Sequence, residues 1–126
     1  MHALRKIHAA LVPGGLLVDS QPVLAEPPVE AADGGLGTLD LREWRKTIDA
    51  VDERTAEAIR LGLFAIERER TIWVLDEFDA GAEFLEVVGA WRGTRIPPPV
   101  AARAAAARPP VRVTQEVRLR LLRALA

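Results

Sequence analysis

The sequence predicts an α/β domain, in the form of an α+β fragment, in which a small sheet is covered by amphipathic helices. Three stretches rich in aliphatic and β-branched residues predict strands, at 16–19, 71–78 and 111–122. Segments with apolar residues three and four positions apart lie between them and predict helices. With 126 residues, 49% of them hydrophobic and 28% charged, the chain is long enough for one buried core, and we expect a single domain.

The first predicted helix covers residues 2–12. Its apolar residues recur at the spacing of one helix face and are Leu4, Ile7 and Leu11. Pro13 cannot continue a helix, and the two glycines that follow it can take the backbone angles that reverse the chain. The strand at 16–19 begins directly afterwards with a continuous apolar run, which is typical of a strand buried on both faces.

This succession of a helix, a Leu-x-Pro-Gly-Gly motif and an apolar strand resembles the segment before the fifth strand of class I S-adenosylmethionine-dependent methyltransferases. That family commonly has His-Arg-x-Leu-x-Pro-Gly-Gly, and Ala9 stands here where its arginine is usual. The matching residues are His8, Leu11, Pro13, Gly14 and Gly15. The later order of long helix, strand, helix and terminal strand is similar to the family's C-terminal half. The resemblance implies a partial Rossmann-like methyltransferase fold, with the last strand at the centre of a three-stranded mixed sheet.

The resemblance also has consequences for the cofactor and the substrate. The family binds S-adenosylmethionine through a Gly-rich loop and an acidic residue that both precede the matched segment, so a chain starting at Met1 is expected to lack them. The resemblance thus implies a methyltransferase-like chain that binds no cofactor and is inactive alone. In the family the loop after the matched strand faces the methyl acceptor, which puts Asp19, Ser20 and Gln21 nearest to a substrate. The alternative is that they simply end a strand and begin a turn.

The remaining helices are predicted at 39–61, at 80–92 and, for a short one, near 100–107. Thr38 or Asp40 can cap the long second helix. Two stretches are expected to be irregular: a Pro/Gly-rich loop at 21–37, in which Asp33-Gly34 could turn a short hairpin, and a Pro-rich connector at 93–99.

The C-terminal stretch alternates apolar and polar side chains from Val111 to Leu121, which is typical of a strand. From the residues alone, a helix capped by Thr114 that buries Val117, Leu121 and Leu125 is the alternative. The family resemblance favours the strand, because a long antiparallel last strand lies between the fifth and sixth strands there.

Few residues suggest catalytic chemistry directly. Asp76, Glu77 and Asp79 stand together near the end of the second predicted strand and could act as a general base or bind a cation. The alternative, which we favour, is that Asp79 caps the next helix. Trp44 and Trp91 fall on the apolar stripes of their helices and are predicted to be core residues. The sequence contains no Gly-rich phosphate loop and no metal-ligand spacing, so no metal site is predicted.

Composition excludes some classes of function. The chain has no cysteine, which excludes disulfides, thiolate metal sites and cysteine nucleophiles. The net charge is −1, but residues 1–91 hold 17 of the 18 acidic side chains, while residues 92–126 hold eight arginines and one glutamate. The arginines are spread singly and no aromatic residue interleaves with them, so we expect mutual neutralisation within the fold rather than nucleic-acid binding.

Location and partners follow from the same patterns. No run of 18 apolar residues could span a membrane, and His8, the Pro-Gly-Gly turn and Asp19 interrupt the only stretch that resembles a secretory signal. We therefore predict a cytoplasmic protein. In the resembled fold the strand at 16–19 pairs on its outer side with a strand that this chain lacks, and an open apolar strand edge is an association site. The chain is predicted to form a homodimer or to bind a missing N-terminal half.

Overall fold

The structure is a computed structural model that describes residues 2–126. Over these residues it is an α+β fold with a five-stranded antiparallel sheet and four helices. The helices are α1 (His2–Ala10), α2 (Arg42–Arg60), α3 (Gly81–Gly89) and α4 (Pro98–Ala106), and each lies within three residues of its predicted bounds. The strands are β1 (Leu16–Pro22), β2 (Pro28–Ala31), β3 (Gly34–Thr38), β4 (Phe64–Phe78) and β5 (Val111–Ala124).

The sheet corrects the prediction of three strands in a mixed arrangement, because it has five strands and is antiparallel. The two additional strands, β2 and β3, lie inside the predicted loop at 21–37. They form a hairpin, which the Asp33-Gly34 sequence had indicated as a possibility, and Ala31 lies opposite Gly34. The long strand β4 begins seven residues before the predicted strand at 71–78.

Strand β5 occupies the central position that was predicted for the last strand. The strand order is β1-β5-β2-β3, and β4 also pairs with β5. The alternative helix at the C-terminus is therefore wrong. Within residues 2–126, β1 stands at the end of the order and pairs with β5, and this pairing extends into the preceding turn, where the Gly14 N–H donates to the Ala124 carbonyl over 2.8 Å.

The residues form two compact units, of which the first contains the chain up to Gln21, Thr47–Ile72 and Val117–Ala126. Its buried core consists of Ala58, Phe64, Leu122 and Ala124, against which the predicted apolar face of α1 packs. His8 supports this core: its Nε2 donates to the Leu125 carbonyl over 2.7 Å, and its ring meets the Phe64 ring edge-on at 5.5 Å. His8, the histidine of the resembled motif, thus has a structural role in this core.

The second unit contains Pro22–Lys46 and Trp73–Glu116. Its larger core is built from the hairpin, α3, α4 and parts of β4 and β5, and its fully buried members include Val29, Leu39, Phe84, Val88, Ala104, Val111 and Val113. Asp40 confirms its predicted capping role, because its carboxylate accepts the backbone N–H of Arg42 at the start of α2. The Arg42 guanidinium also bonds this carboxylate, and together these contacts lower the pKa of Asp40 to about 2.

None of the helices in the part of the chain that the structure describes is long and apolar enough to span a membrane.

Candidate functional site

The three predicted substrate-side residues lie within β1 and not in a loop after it. Strand β1 continues to Pro22, so Asp19, Ser20 and Gln21 alternate between its two faces. Asp19 and Gln21 are half-buried on one face, where the Gln21 side-chain amide donates to Asp19 Oδ1 over 2.9 Å, and Ser20 is exposed on the other. The structure therefore brings two of the three together.

Asp19 belongs to a group of charged side chains that we call the arginine cluster. Its members come from β1, α2, β4 and β5 and are Asp19, Asp52, Glu69, Arg118 and Arg120. Arg118 is 13% exposed and makes a two-pronged contact with Asp52, at 2.6 and 3.2 Å. Its Nη2 also lies 3.8 Å from Asp19 Oδ2. Arg120 lies 3.7 Å from Asp52 and 3.4 Å from Glu69.

The electrostatics of this cluster favour a structural role. The hydrogen bonds that Arg118 donates to Asp52 are the main cause that raises the pKa of Arg118 above its ordinary value, so the guanidinium stays charged. Asp19 Oδ2 is buried without a hydrogen bond and borders an apolar cavity of about 210 Å³ in the same unit. Pairs on β5 outside the cluster join Arg112 to Glu77 and Arg123 to Glu67. Ion pairs within the fold thus involve four of the eight arginines near the C-terminus, which are Arg112, Arg118, Arg120 and Arg123.

The edge of β1 is a second feature of the first unit. Leu16 and Val18 project from the strand with 52% and 64% of their surface exposed, and Val12 in the preceding turn is 73% exposed. Strands at the edge of a sheet present unpaired N–H and C=O groups to a further strand. Apolar side chains beside such an edge therefore favour association.

The acidic residues near the end of β4 do not form one site. Asp76 borders a cavity, Glu77 pairs with Arg112 at 3.0 Å, and the Asp79 backbone N–H donates to the Glu83 carboxylate. The predicted cap at Asp79 is wrong, because Ala80 occupies the N-cap position of α3 with no side-chain hydrogen bond. Across residues 2–126 no three His, Asp or Glu side chains converge as metal ligands.

The cavity beside Asp76 lies in the second unit, and we call it the tryptophan cavity. It has a volume of about 250 Å³ and is lined by Pro22, Leu41, Trp44, Asp76, Trp91, Arg92, Thr94 and Gln115. Trp44 Nε1 is buried and has no hydrogen-bond partner. Sequence reasoning missed this site, because the apolar stripes of the helices predicted at 39–61 and 80–92 account for both tryptophans as core residues. The only sequence feature that pointed to this site was Asp76, which the sequence analysis grouped with Glu77 and Asp79.

Comparison with known proteins adds no relative: a scan against family models found none that matches this chain, and a search of curated proteins found no match.

Proposed function

We propose that this chain supplies the C-terminal part of a class I S-adenosylmethionine-dependent methyltransferase, in a partial Rossmann-like arrangement, and that it is inactive alone. The observation that carries the proposal is the position of β5, which pairs with both β1 and β4. The resembled family has an antiparallel last strand between its fifth and sixth strands. The Pro-Gly-Gly turn before β1 supports the same assignment, since its Gly14 N–H begins the pairing with β5.

The position of β1 supports the second part of the proposal. In the resembled fold this strand has a further neighbour on the side away from the last strand. Within residues 2–126 β1 has no such neighbour. A polypeptide that carries the N-terminal half of the fold would add a strand at this edge and would bring the cofactor-binding Gly-rich loop. Asp19, Ser20 and Gln21 remain the proposed residues nearest to the methyl acceptor, and the proposed location is cytoplasmic.

Binding of S-adenosylmethionine tests this function. We expect that calorimetric titration of the 126-residue chain with up to about 1 mM cofactor gives no saturable heat. We also expect that a segment with a strand followed by Gly-x-Gly-x-Gly, joined to the N-terminus of the chain, restores binding. A protein extended to include that segment should bind the cofactor with a Kd of about 1 to 100 µM. Micromolar binding by the short chain, or an extended protein that does not bind, would contradict the proposal.

A second candidate function is favoured by the exposed apolar residues along β1. In this candidate the chain is a non-enzymatic association domain that forms a homodimer through the β1 edge. The side chains of Leu16 and Val18 would be covered when two copies pair at this edge. Light scattering after size exclusion should then show a dimer at about 100 µM protein, and a monomer at that concentration would exclude this candidate.

The substitution Val18→Lys tests whether the β1 edge carries the association. A lysine beside the edge places a charge where a partner strand would pack, so we expect the association constant to fall at least about tenfold. Val87→Lys is the matched control, because it makes the same change at an exposed valine on α3, outside the β1 edge. We expect Val87→Lys to leave association within about twofold of the unmodified chain. Equal effects of the two substitutions would mean that added charge alone, and not the edge, weakens binding.

A further inference from the structure

The tryptophan cavity of the second unit has a rigid aromatic wall. Gly93 has a φ of +72°, and a Cβ at this position would come within 2.9 Å of Trp44 Cβ, so the glycine backbone packs directly on Trp44. Trp91 contacts the buried Phe78, with ring centroids 6.5 Å apart. Because both indoles are held by neighbours, the cavity exists before any ligand enters it. Preformed aromatic walls of this kind favour planar ligands.

Two polar groups of the cavity have unmet hydrogen-bonding capacity. Trp44 Nε1 is a buried donor without an acceptor. The half-buried carboxylate of Asp76 takes no part in the hydrogen bonds and ion pairs found among the described residues, although Glu77 beside it pairs with Arg112. A buried donor without an acceptor is unfavourable, and a carboxylate in a partly dehydrated cleft attracts a cation. A ligand that offers both an acceptor and a cationic donor would satisfy the two groups together.

We infer that the tryptophan cavity binds a small arylalkylamine with a phenolic hydroxyl, whose ring packs against the indoles, whose ammonium group pairs with Asp76 and whose hydroxyl oxygen accepts from Trp44 Nε1. The volume of about 250 Å³ accommodates a single ring with a short side chain. Arg92 also lines the cavity, but its side chain is exposed, so solvent screens its charge more than that of Asp76. An anionic aromatic ligand is therefore the less favourable occupant. The site lies in the second unit and requires neither the cofactor nor the β1 edge.

Tryptophan fluorescence tests this inference with tyramine as the probe. The chain has three tryptophans, two of which line the cavity, whereas Trp73 is 67% exposed. A Trp73→Phe background therefore confines the signal to the cavity. We expect tyramine, added up to about 10 mM, to change the emission saturably with a submillimolar Kd. The compound 4-ethylphenol, which lacks the amine, should bind at least about tenfold more weakly.

The substitution Asp76→Asn identifies the group that recognises the amine. It keeps the shape of the side chain but removes the charge, so the Kd for tyramine should rise at least about tenfold while that for 4-ethylphenol stays within about twofold. An unsaturable response to tyramine, an unchanged Kd in Asp76→Asn, or tighter binding of 4-hydroxyphenylacetate would each overturn the inference. The last result would assign the cavity to anions through Arg92.

A second measurement uses the unmodified chain, so its result does not depend on whether the Asp76 variant folds. In nitrogen-15 NMR spectra of the unmodified chain, tyramine should shift the indole N–H signals of Trp44 and Trp91 and leave that of Trp73 in place. The Trp44 signal should move most, because its N–H gains an acceptor. Equal shifts of all three signals, or none, would contradict a site in this cavity. Because the assay contains no cofactor, a failure to bind tyramine leaves the proposed methyltransferase relationship unaffected. A failure of the S-adenosylmethionine experiments likewise leaves the proposed amine site unaffected.

Discussion

Replacing Gly81 by alanine should destabilise the second unit by about 3 kcal/mol or more, because overpacking against backbone leaves no side chain that can move aside. Gly81 begins α3, and a Cβ placed on it would lie 2.0 Å from the carbonyl oxygen of Ala104 in α4. The two helices would have to separate. Phe84, Val88 and Ala104 are fully buried at this contact, so separation would open the core. Urea denaturation followed by far-UV circular dichroism measures the change.

Gly89→Ala is the matched control, since Gly89 is the last residue of the same helix. A Cβ on Gly89 would meet no atom within 4 Å. Alanine also has the higher helix propensity, so we expect stability to stay the same or to rise by up to about 1 kcal/mol. If Gly81→Ala proves as well tolerated as Gly89→Ala, α3 and α4 do not pack as closely as described.

Local sequence patterns predict most of the secondary structure, and α1 shows why. Its apolar spacing and its Pro-Gly-Gly stop depend on residues a few positions apart, and the helix ends at Ala10 close to the predicted position. The β2–β3 hairpin was harder to predict. Prolines and glycines are common in loops, and here Pro28 begins β2 while Gly34 and Gly37 take positive φ values within β3.

The first half of β4 could not be predicted from its own sequence. The run Glu67-Arg68-Glu69-Arg70 carries charges and none of the apolar alternation that indicates a strand. In the structure, Glu67 pairs with Arg123, and Glu69 lies 3.4 Å from Arg120. The partners that make these residues a strand lie about fifty positions away along the chain, on β5, so a local pattern does not contain them.

The tryptophan cavity could not be predicted from a local pattern either, because its residues are distant in the sequence. Trp44 and Trp91 stand 47 positions apart, and in the sequence each looks like an ordinary core residue of a predicted helix. Only the fold brings the indoles and Asp76 around one space, and only the structure shows that Trp44 Nε1 has no partner. For Asp19, Ser20 and Gln21 the prediction that they follow the strand is wrong, because β1 continues through all three and places Ser20 on the opposite face from the other two.

The substitution Arg118→Met in the arginine cluster should lower the free energy of unfolding by about 2 to 4 kcal/mol, because it removes the guanidinium nearest to two largely buried carboxylates, those of Asp52 and Asp19. Arg118 and Asp19 are 13% and 15% exposed, and Asp52 is 28% exposed, so water can replace little of the lost contact. Methionine keeps much of the apolar stem of arginine, which limits the cavity that the change creates. The free energy of unfolding from urea titration measures the loss.

Arg112→Met is the matched control on the same strand. Arg112 pairs with Glu77 at 3.0 Å, but both side chains are 49% exposed, and exposed pairs contribute at most about 1 kcal/mol. The two substitutions remove the same charge and leave the same side chain, so their difference isolates the effect of burial. Adding Asp19→Asn to Arg118→Met should then recover part of the loss, because the Asp19 carboxylate, which has lost the nearby Arg118 guanidinium, is replaced by a neutral amide. Equal costs for Arg118→Met and Arg112→Met would mean that the arginine cluster is as weakly coupled to folding as a surface ion pair.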